Sequence, residues 1–297
     1  MLSFVLTFFL AGTNLLLPPK DFWSFWGDGK AEISSYRIKV SRYNELRDGY
    51  AVLIYVTEDM NRKTRIKVES DRVPQKDRLP VLKLNHIMKF TTGIYDYSVM
   101  TSVFSSVESE FGRPPLKPMK ISLTSQEWCG HVFMMAIPNS KKLELTVHSY
   151  FEREGDQQRE LDIPRDAMYE DNLWIWIREL KGEVLPVGEK RQVSMLPSMW
   201  HARSKHVSVA FQPAWIAKEK GETIEFEGAT RATWKWSWNV AGKTMTVWVE
   251  QDYPHRIIRW ESSLGESGEL IKSVRLPYWM LNQSDKLFYR KELGIPE

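Results

Sequence analysis

Glu127, Cys129 and His131 are the residues whose types and spacing best fit a catalytic group. If residues 121–137 form one strand, side chains two positions apart share a face and stand about 6.6 Å apart. A thiol beside an imidazole and a carboxylate can act as a cysteine nucleophile, because a base must generate the attacking thiolate. Side chains on a flat strand run parallel, however, and cysteine is commonly a small buried residue. We therefore predict a buried Cys129 and keep the nucleophile as the alternative.

Other polar residues give fewer candidates. Asp156 and Gln157 either contact a ligand or belong to a solvated hairpin turn, as the loop composition favours. His201 and His206 are five residues apart, which suits shared metal ligation on neither a helix nor a strand. We predict no metal site, and because phosphate-loop and nucleophile-elbow sequences are absent we predict no cofactor.

Tryptophan supplies a second kind of candidate, since the chain holds 13 Trp in 297 residues. Trp234, Trp236 and Trp238 alternate with polar residues, which predicts a strand with one apolar and one wet face. These tryptophans, with Trp128, are candidates for binding a hydrophobic ligand or a sugar. The alternative is that they form the core between a sheet and a helix, the commoner position of aromatic residues.

The elements that must position these residues are mostly antiparallel strands. Residues 33–40, 50–57 and 93–107 are β-branched, aromatic or alternating. The best-defined hairpin has Ala241-Gly242 as a two-residue turn, which would pair Trp236 with Val247. One amphipathic helix is predicted over 165–181, with Leu173, Trp176 and Ile177 in its apolar stripe.

These patterns predict a mainly β fold of curled antiparallel sheets, half-barrel or β-sandwich-like, with one helix packed on or plugging the sheet. The predicted organisation is a β-rich half over 20–164, the helix over 165–182 and a meander over 183–297. The two halves form one composite domain or two closely packed ones.

The amino terminus indicates export. Residues 4–11 form an uncharged apolar run that is shorter than the roughly 20 residues of a membrane span. The run has the size of a signal-peptide core, so we predict a signal peptide over 1–19 and a periplasmic or envelope location. The chain has 41 basic and 38 acidic residues, a net charge of +3, and no basic cluster that would favour nucleic acid. Its single cysteine excludes an internal disulfide.

Several sequence blocks resemble an uncharacterised family of bacterial exported proteins over roughly residues 20–280. They include Phe22-Trp23, Gly93-Ile94-Tyr95-Asp96-Tyr97 and the segment Ser125 to His131. Some members carry the label of septum-formation inhibitor Maf, but true Maf proteins begin with a basic Ser-x-Ser-Pro-Arg-Arg segment that this chain lacks. The last hundred residues, with Asp252-Tyr253-Pro254-His255-Arg256, look like periplasmic domains whose sheets curl as in lipoprotein carriers. The resemblance implies a compartment and an architecture, and no activity.

Two functions are consistent with the sequence. The first is a non-catalytic envelope protein that binds a lipid, a lipoprotein or another hydrophobic ligand on a Trp-rich concave sheet. The second is an exported hydrolase or transferase that uses Cys129 and His131 with Glu127. No nucleic-acid partner and no membrane span in the mature chain are expected.

Overall fold

The computed structural model describes residues 21–110 and 112–296. The predicted signal peptide over 1–19 lies outside the described residues. Among the described helices, none is long and apolar enough to cross a membrane.

Eight long strands make the first half of the chain, and each pairs with its neighbour in sequence. They are β1 (Ala31–Arg42), β2 (Glu45–Asn61), β3 (Arg78–Thr92), β4 (Tyr95–Ser106), β5 (Pro118–Glu127), β6 (Gly130–Pro138), β7 (Lys142–Ser149) and β8 (Gln157–Asp162).

Nine described strands, most of them shorter, make the second half. They are β9 (Ala167–Tyr169), β10 (Lys190–Leu196), β11 (Gln212–Lys220), β12 (Ile224–Phe226), β13 (Ala229–Arg231), β14 (Thr233–Val240), β15 (Lys243–Glu250), β16 (Ile257–Ser262) and β17 (Ser267–Leu276). The described α-helices are α1 (Phe22–Trp26), α2 (Glu170–Trp176), α3 (Met199–Lys205) and α4 (Phe288–Glu292), and short 3-10 turns lie at Gln75–Asp77, Tyr278–Met280 and Ser284–Lys286.

A single 15-stranded sheet contains both halves, because β1 pairs with β17 along nine residues. The sheet is mixed, since β9 and β10 run parallel while the other neighbours are antiparallel. Strands β12 and β13 form a separate pair. The predicted mainly β fold is thus confirmed, as one open sheet with β8 and β9 at its edges.

One core lies inside this sheet and is filled by two helices. Inward side chains from β1 to β7, from β9 to β12 and from β14 to β17 belong to the same buried cluster as α2 and α3. The sheet must therefore curl around these helices, because residues from strands near both edges reach the same interior. The concave face is consequently occupied by the protein's own side chains.

The helix differs from its predicted form. The prediction of 165–182 is wrong at both ends, because Ala167–Tyr169 pairs with β10 as a strand and α2 ends at Trp176. Arg178 and Glu179 instead turn their side chains to Glu32 and Lys218. All seven residues of α2 are buried, so the helix is enclosed on every side rather than amphipathic. Leu173, Trp176 and Ile177 do pack in the core, as predicted.

The Trp-rich hairpin forms in the predicted register. Trp236 pairs with Val247, and Val240 pairs with Lys243 across the turn. Ala241 and Gly242 have φ angles of 51° and 79°, the left-handed conformation that a two-residue hairpin turn requires. Glycine adopts it without steric cost, which explains why the turn was recognisable in the sequence.

A buried ion pair joins the two halves. Arg178 is fully buried and donates two hydrogen bonds of 2.9 Å to the carboxylate of Glu32 on β1. Its Nε also donates to the carbonyl oxygen of His255, and the guanidinium lies 4.3 Å from the ring centre of Tyr55. These contacts satisfy the charge from all sides, as burial demands.

Candidate functional site

The predicted nucleophile lies on a hairpin turn and not on one strand. Glu127 ends β5, Gly130 begins β6 and these two residues pair with each other, so Trp128 and Cys129 form the turn between them. The expectation that Glu127, Cys129 and His131 share a face of one strand is therefore wrong. Period-two spacing places side chains together only where the chain continues in the same direction.

The turn also separates the carboxylate from the imidazole. His131 pairs with Gln126, whose side chain is exposed, whereas Glu127 is buried. Glu127 Oε2 accepts a hydrogen bond of 2.6 Å from the backbone N–H of Cys129. Within the described residues, no hydrogen bond joins the His131 side chain to Cys129 or Glu127. Glu127 therefore stabilises the turn and is not oriented towards a catalytic base.

Cys129 itself is exposed, so the prediction of a buried thiol is wrong. A hydrogen bond between the Cys129 thiol and the Glu127 carboxylate, together with the charge of Glu127, raises the pKa of the thiol above its usual value. A nucleophilic cysteine needs the opposite, a positive environment that lowers its pKa. The structure thus gives Cys129 access to solvent and disfavours its thiolate.

The other sequence candidates separate into core and surface. Trp236 and Trp238 are completely buried, as the core alternative described, and Trp234 is partly buried against the same cluster. Trp128 is exposed on its turn. Two completely buried indoles have no surface to offer a ligand on the concave face.

The polar pair of the β7–β8 connection lies at the surface. Asp156 is exposed and lies 3.3 Å from Nδ1 of His148. Gln157 begins β8 and donates to the carbonyl oxygen of Glu154 at 2.5 Å. Neither residue contacts Glu127 through a hydrogen bond in the described chain.

A buried charged cluster at the start of α2 escaped the sequence analysis. Glu170 lies 2.8 Å from Nζ of Lys243 and accepts a hydrogen bond from the indole N–H of Trp238. Glu170 accepts a hydrogen bond of 2.8 Å from the backbone N–H of Ser198, and Asp171 accepts one of 3.0 Å from the backbone N–H of Met199. The cluster therefore anchors α2 to the start of α3 and to β15. In the sequence, two adjacent acidic residues at 170 and 171 indicate a helix start and do not reveal their distant partners.

The two carboxylates of the cluster differ in their electrostatics. Burial opposes charge on Glu170, but Lys243 outweighs it and holds the pKa of Glu170 below its usual value. Burial raises the pKa of Asp171 to about 6, because its hydrogen bond from Met199 only partly compensates. Asp171 is thus the carboxylate of this cluster whose charge changes in mildly acidic solution.

Asp171→Asn should stabilise the protein at neutral pH. The folded protein holds the Asp171 proton more tightly than the unfolded chain, so the resulting stability is present below pH about 4 and is lost as the pH rises through about 6. Asparagine can still accept the hydrogen bond from the backbone N–H of Met199, and its side chain does not titrate. Urea unfolding should show the variant more stable by up to about 3 kcal/mol at pH 7.5, with little difference at pH 4. An equal difference at both pH values would contradict this assignment.

A small interior cavity of about 70 Å³ lies beside this cluster. His86 lines it between Trp174 and Trp260, with ring centres 5.0 and 6.1 Å away, and burial lowers the pKa of His86 to about 4. Nε2 of His86 and Nε1 of Trp200 are buried without a hydrogen-bond partner in the described chain. The space suits a few waters, which are the usual partners of such buried groups. Across the described residues, no group of three His, Cys, Asp or Glu side chains is placed to hold a metal ion.

An apolar site lies on the outer face of the sheet. An open slot of about 550 Å³ lies between β1–β3 and the C-terminal segment 276–295. Its floor consists of outward side chains of three adjacent strands: Ile33, Val52, Ile54 and Ile87. The segment is held across the sheet by a hydrogen bond of 2.5 Å from the Ser35 hydroxyl to the Leu293 carbonyl oxygen. We name this cavity the outer slot.

The charged side chains that line the outer slot are all basic. They are Lys89, Lys286 and Arg290. Lys286 pairs with Asp285 and Arg290 donates to the carbonyl oxygen of Pro296, whereas Lys89 is exposed. The outer slot thus combines an apolar floor with a basic rim.

A larger polar groove of about 930 Å³ adjoins the outer slot and shares Tyr50 and Lys89 with it. It contains all three residues of the predicted nucleophile together with Trp128 and Tyr150. The sequence therefore identified one wall of a real groove, although not the chemistry that was expected of it.

Comparison with protein-family models, with curated proteins and with solved structures found no match for this chain. The site is therefore interpreted from its own geometry.

Proposed function

We propose that this protein binds an anionic amphiphile of the long-chain carboxylate type in the outer slot. The observation that carries the proposal is the combination of an apolar floor with a rim whose charged groups are all basic. Ligand sites in proteins commonly measure about 300–1,000 Å³ and place a few polar groups around an apolar surface. The volume of about 550 Å³ lies within that range.

The proposed ligand site lies on the convex side of the sheet and not on the concave side that the sequence predicted. The tryptophans of β14 fill the interior, so an acyl chain finds its apolar surface on the outward residues of β1–β3. Lys89 lies where the outer slot meets the polar groove. Its exposed ammonium group is placed to attract a carboxylate whose chain enters the outer slot.

Export remains part of the proposal. The apolar run at 4–11 favours a signal peptide, and the periplasm or the envelope would give the protein access to such ligands. Mass determination of the mature amino terminus after secretion tests this compartment.

Decanoate and 1-decanol distinguish the apolar and the charged contributions. We expect both ligands to bind in titration calorimetry, with decanoate the tighter. Ile87→Asp places a carboxylate on the floor of the outer slot and should lower the affinity for both ligands about tenfold. Met100→Asp is the matched control, because Met100 pairs with Ile87 on the same face but lies outside the lining of the outer slot.

Lys89→Met separates the head group from the chain. It should lower the affinity for decanoate about fivefold and leave the affinity for decanol unchanged. Lys141→Met, at a distant turn, is the control. Ile87→Trp, which fills the outer slot without adding charge, guards against misfolding of the aspartate variant. Equal decanoate binding by wild type, Ile87→Asp and Ile87→Trp, or no binding by the wild type, would refute the proposal.

A further inference from the structure

Four successive hairpins meet at one end of the sheet, and each exposes a large apolar side chain there. The first three turns are two residues long, and the β7–β8 connection covers residues 150–156. The side chains are 51% to 83% exposed and form what we name the tip row: Tyr43, Ile94, Trp128 and Tyr150. Because adjacent strands lie about 4.8 Å apart, successive tips are about 9.5 Å apart and the row is roughly 30 Å long.

The opposite end of the same eight strands is different. Of the described residues in its three turns, Ile66 is the one large apolar residue that is exposed. Two-residue hairpin turns favour Asn, Asp and Gly, so Ile94 and Trp128 are not explained by turn formation. The apolar side chains are thus concentrated at one end for a reason other than local structure.

Contacts within the protein orient part of the tip row. The Tyr43 hydroxyl lies 2.9 Å from that of Tyr97, and the guanidinium of Arg42 lies 4.2 Å from the Tyr43 ring centre. The Trp128 ring lies 6.3 Å from that of Tyr95. Side chains that are already ordered lose less entropy when they bind.

We propose that the tip row docks the protein on the surface of an electrically neutral lipid bilayer. Tryptophan and tyrosine concentrate at the level of lipid head groups, and separate tips can enter that layer without a complementary protein surface. The polar groove opens at the same end of the sheet and includes Trp128 and Tyr150 in its lining. The tip row is independent of the outer slot, so this inference does not rest on the proposed function.

Charge beside the tips selects the neutral bilayer over an anionic one. The exposed charges there nearly balance: the carboxylates are Glu45, Asp48, Asp96, Glu152 and Asp156, and the basic groups are Lys39, Lys89, Arg153 and Arg159. The surface therefore has no cluster of lysine and arginine, which is what the potential of an anionic bilayer attracts.

Cosedimentation with phosphatidylcholine vesicles tests the proposal on the full chain. Ile94→Ser and Trp128→Ser should each bind the vesicles about tenfold more weakly than wild type. Ile66→Ser and Trp279→Ser remove an exposed isoleucine and an exposed tryptophan outside the tip row, and they should bind like wild type. Circular dichroism confirms that each variant is folded.

The outcomes are distinct from those of the ligand experiment. Tip variants should keep wild-type affinity for decanoate measured without vesicles. The inference is overturned if wild type does not bind phosphatidylcholine vesicles, if it binds only when phosphatidylglycerol is added, or if Ile66→Ser weakens binding as much as Ile94→Ser. Dissociation of a dimer by Trp128→Ser would assign the tip row to a protein interface and would also overturn it.

Discussion

Glu32→Ala is expected to lower the free energy of unfolding by about 3–5 kcal/mol, because it leaves the guanidinium of Arg178 buried without its carboxylate. Both side chains are almost completely shielded from water, so solvent cannot replace the lost partner. Urea unfolding followed by circular dichroism measures the change.

An exposed ion pair provides the control for Glu32. Asp162→Ala removes the partner of Lys142 on the β7–β8 edge, where both side chains are exposed. Such a pair contributes little to stability because water and salt screen it, so Asp162→Ala should unfold much like wild type. A similar loss for both variants would show that the Glu32–Arg178 pair does not hold the two halves of the sheet together.

Trp238→Ala is the second large effect and should also cost about 3–5 kcal/mol. The indole is completely buried, and its N–H donates a hydrogen bond to Glu170, so its removal leaves a cavity in the core and takes one hydrogen bond from Glu170. Trp128→Ala is the matched control, since Trp128 is 70% exposed on the β5–β6 turn and should change stability by less than about 0.5 kcal/mol.

The comparison tests which tryptophans belong to the core. A loss of under about 1 kcal/mol for Trp238→Ala would contradict the inward face of β14. It would also reopen the concave face as a place for a ligand, which the proposed function excludes.

The local sequence pattern was sufficient to predict the strands of the Trp-rich hairpin and the two-residue turn that joins them. Alternation over 233–250 determined which residues of β14 face inward, and Gly242 determined where the chain reverses, so the Trp236–Val247 pair could be predicted. These features depend on residues that are near each other in sequence. The mainly β fold follows from the same signals repeated along the chain.

The predictions that failed did so because one turn was not recognised in the sequence or because the deciding contact is with a residue far away in sequence. Trp128 and Cys129 carry none of the usual turn signals, so the β5–β6 hairpin was interpreted as one strand and Cys129 as buried. The end of α2 was misplaced because Arg178 bonds to Glu32, which lies 146 positions away. No periodic pattern contains that information.

The sequence by itself determined the class of fold, the inward face of the Trp-rich hairpin and the residues of one wall of the polar groove. Only the tertiary structure decided that the concave face is filled, that Glu170 meets Lys243, and that an apolar slot with a basic rim lies on the convex side. The physical reason is that alternation distinguishes the two faces of a strand, whereas the pairing of β1 with β17 and the packing of segment 276–295 decide what covers each face.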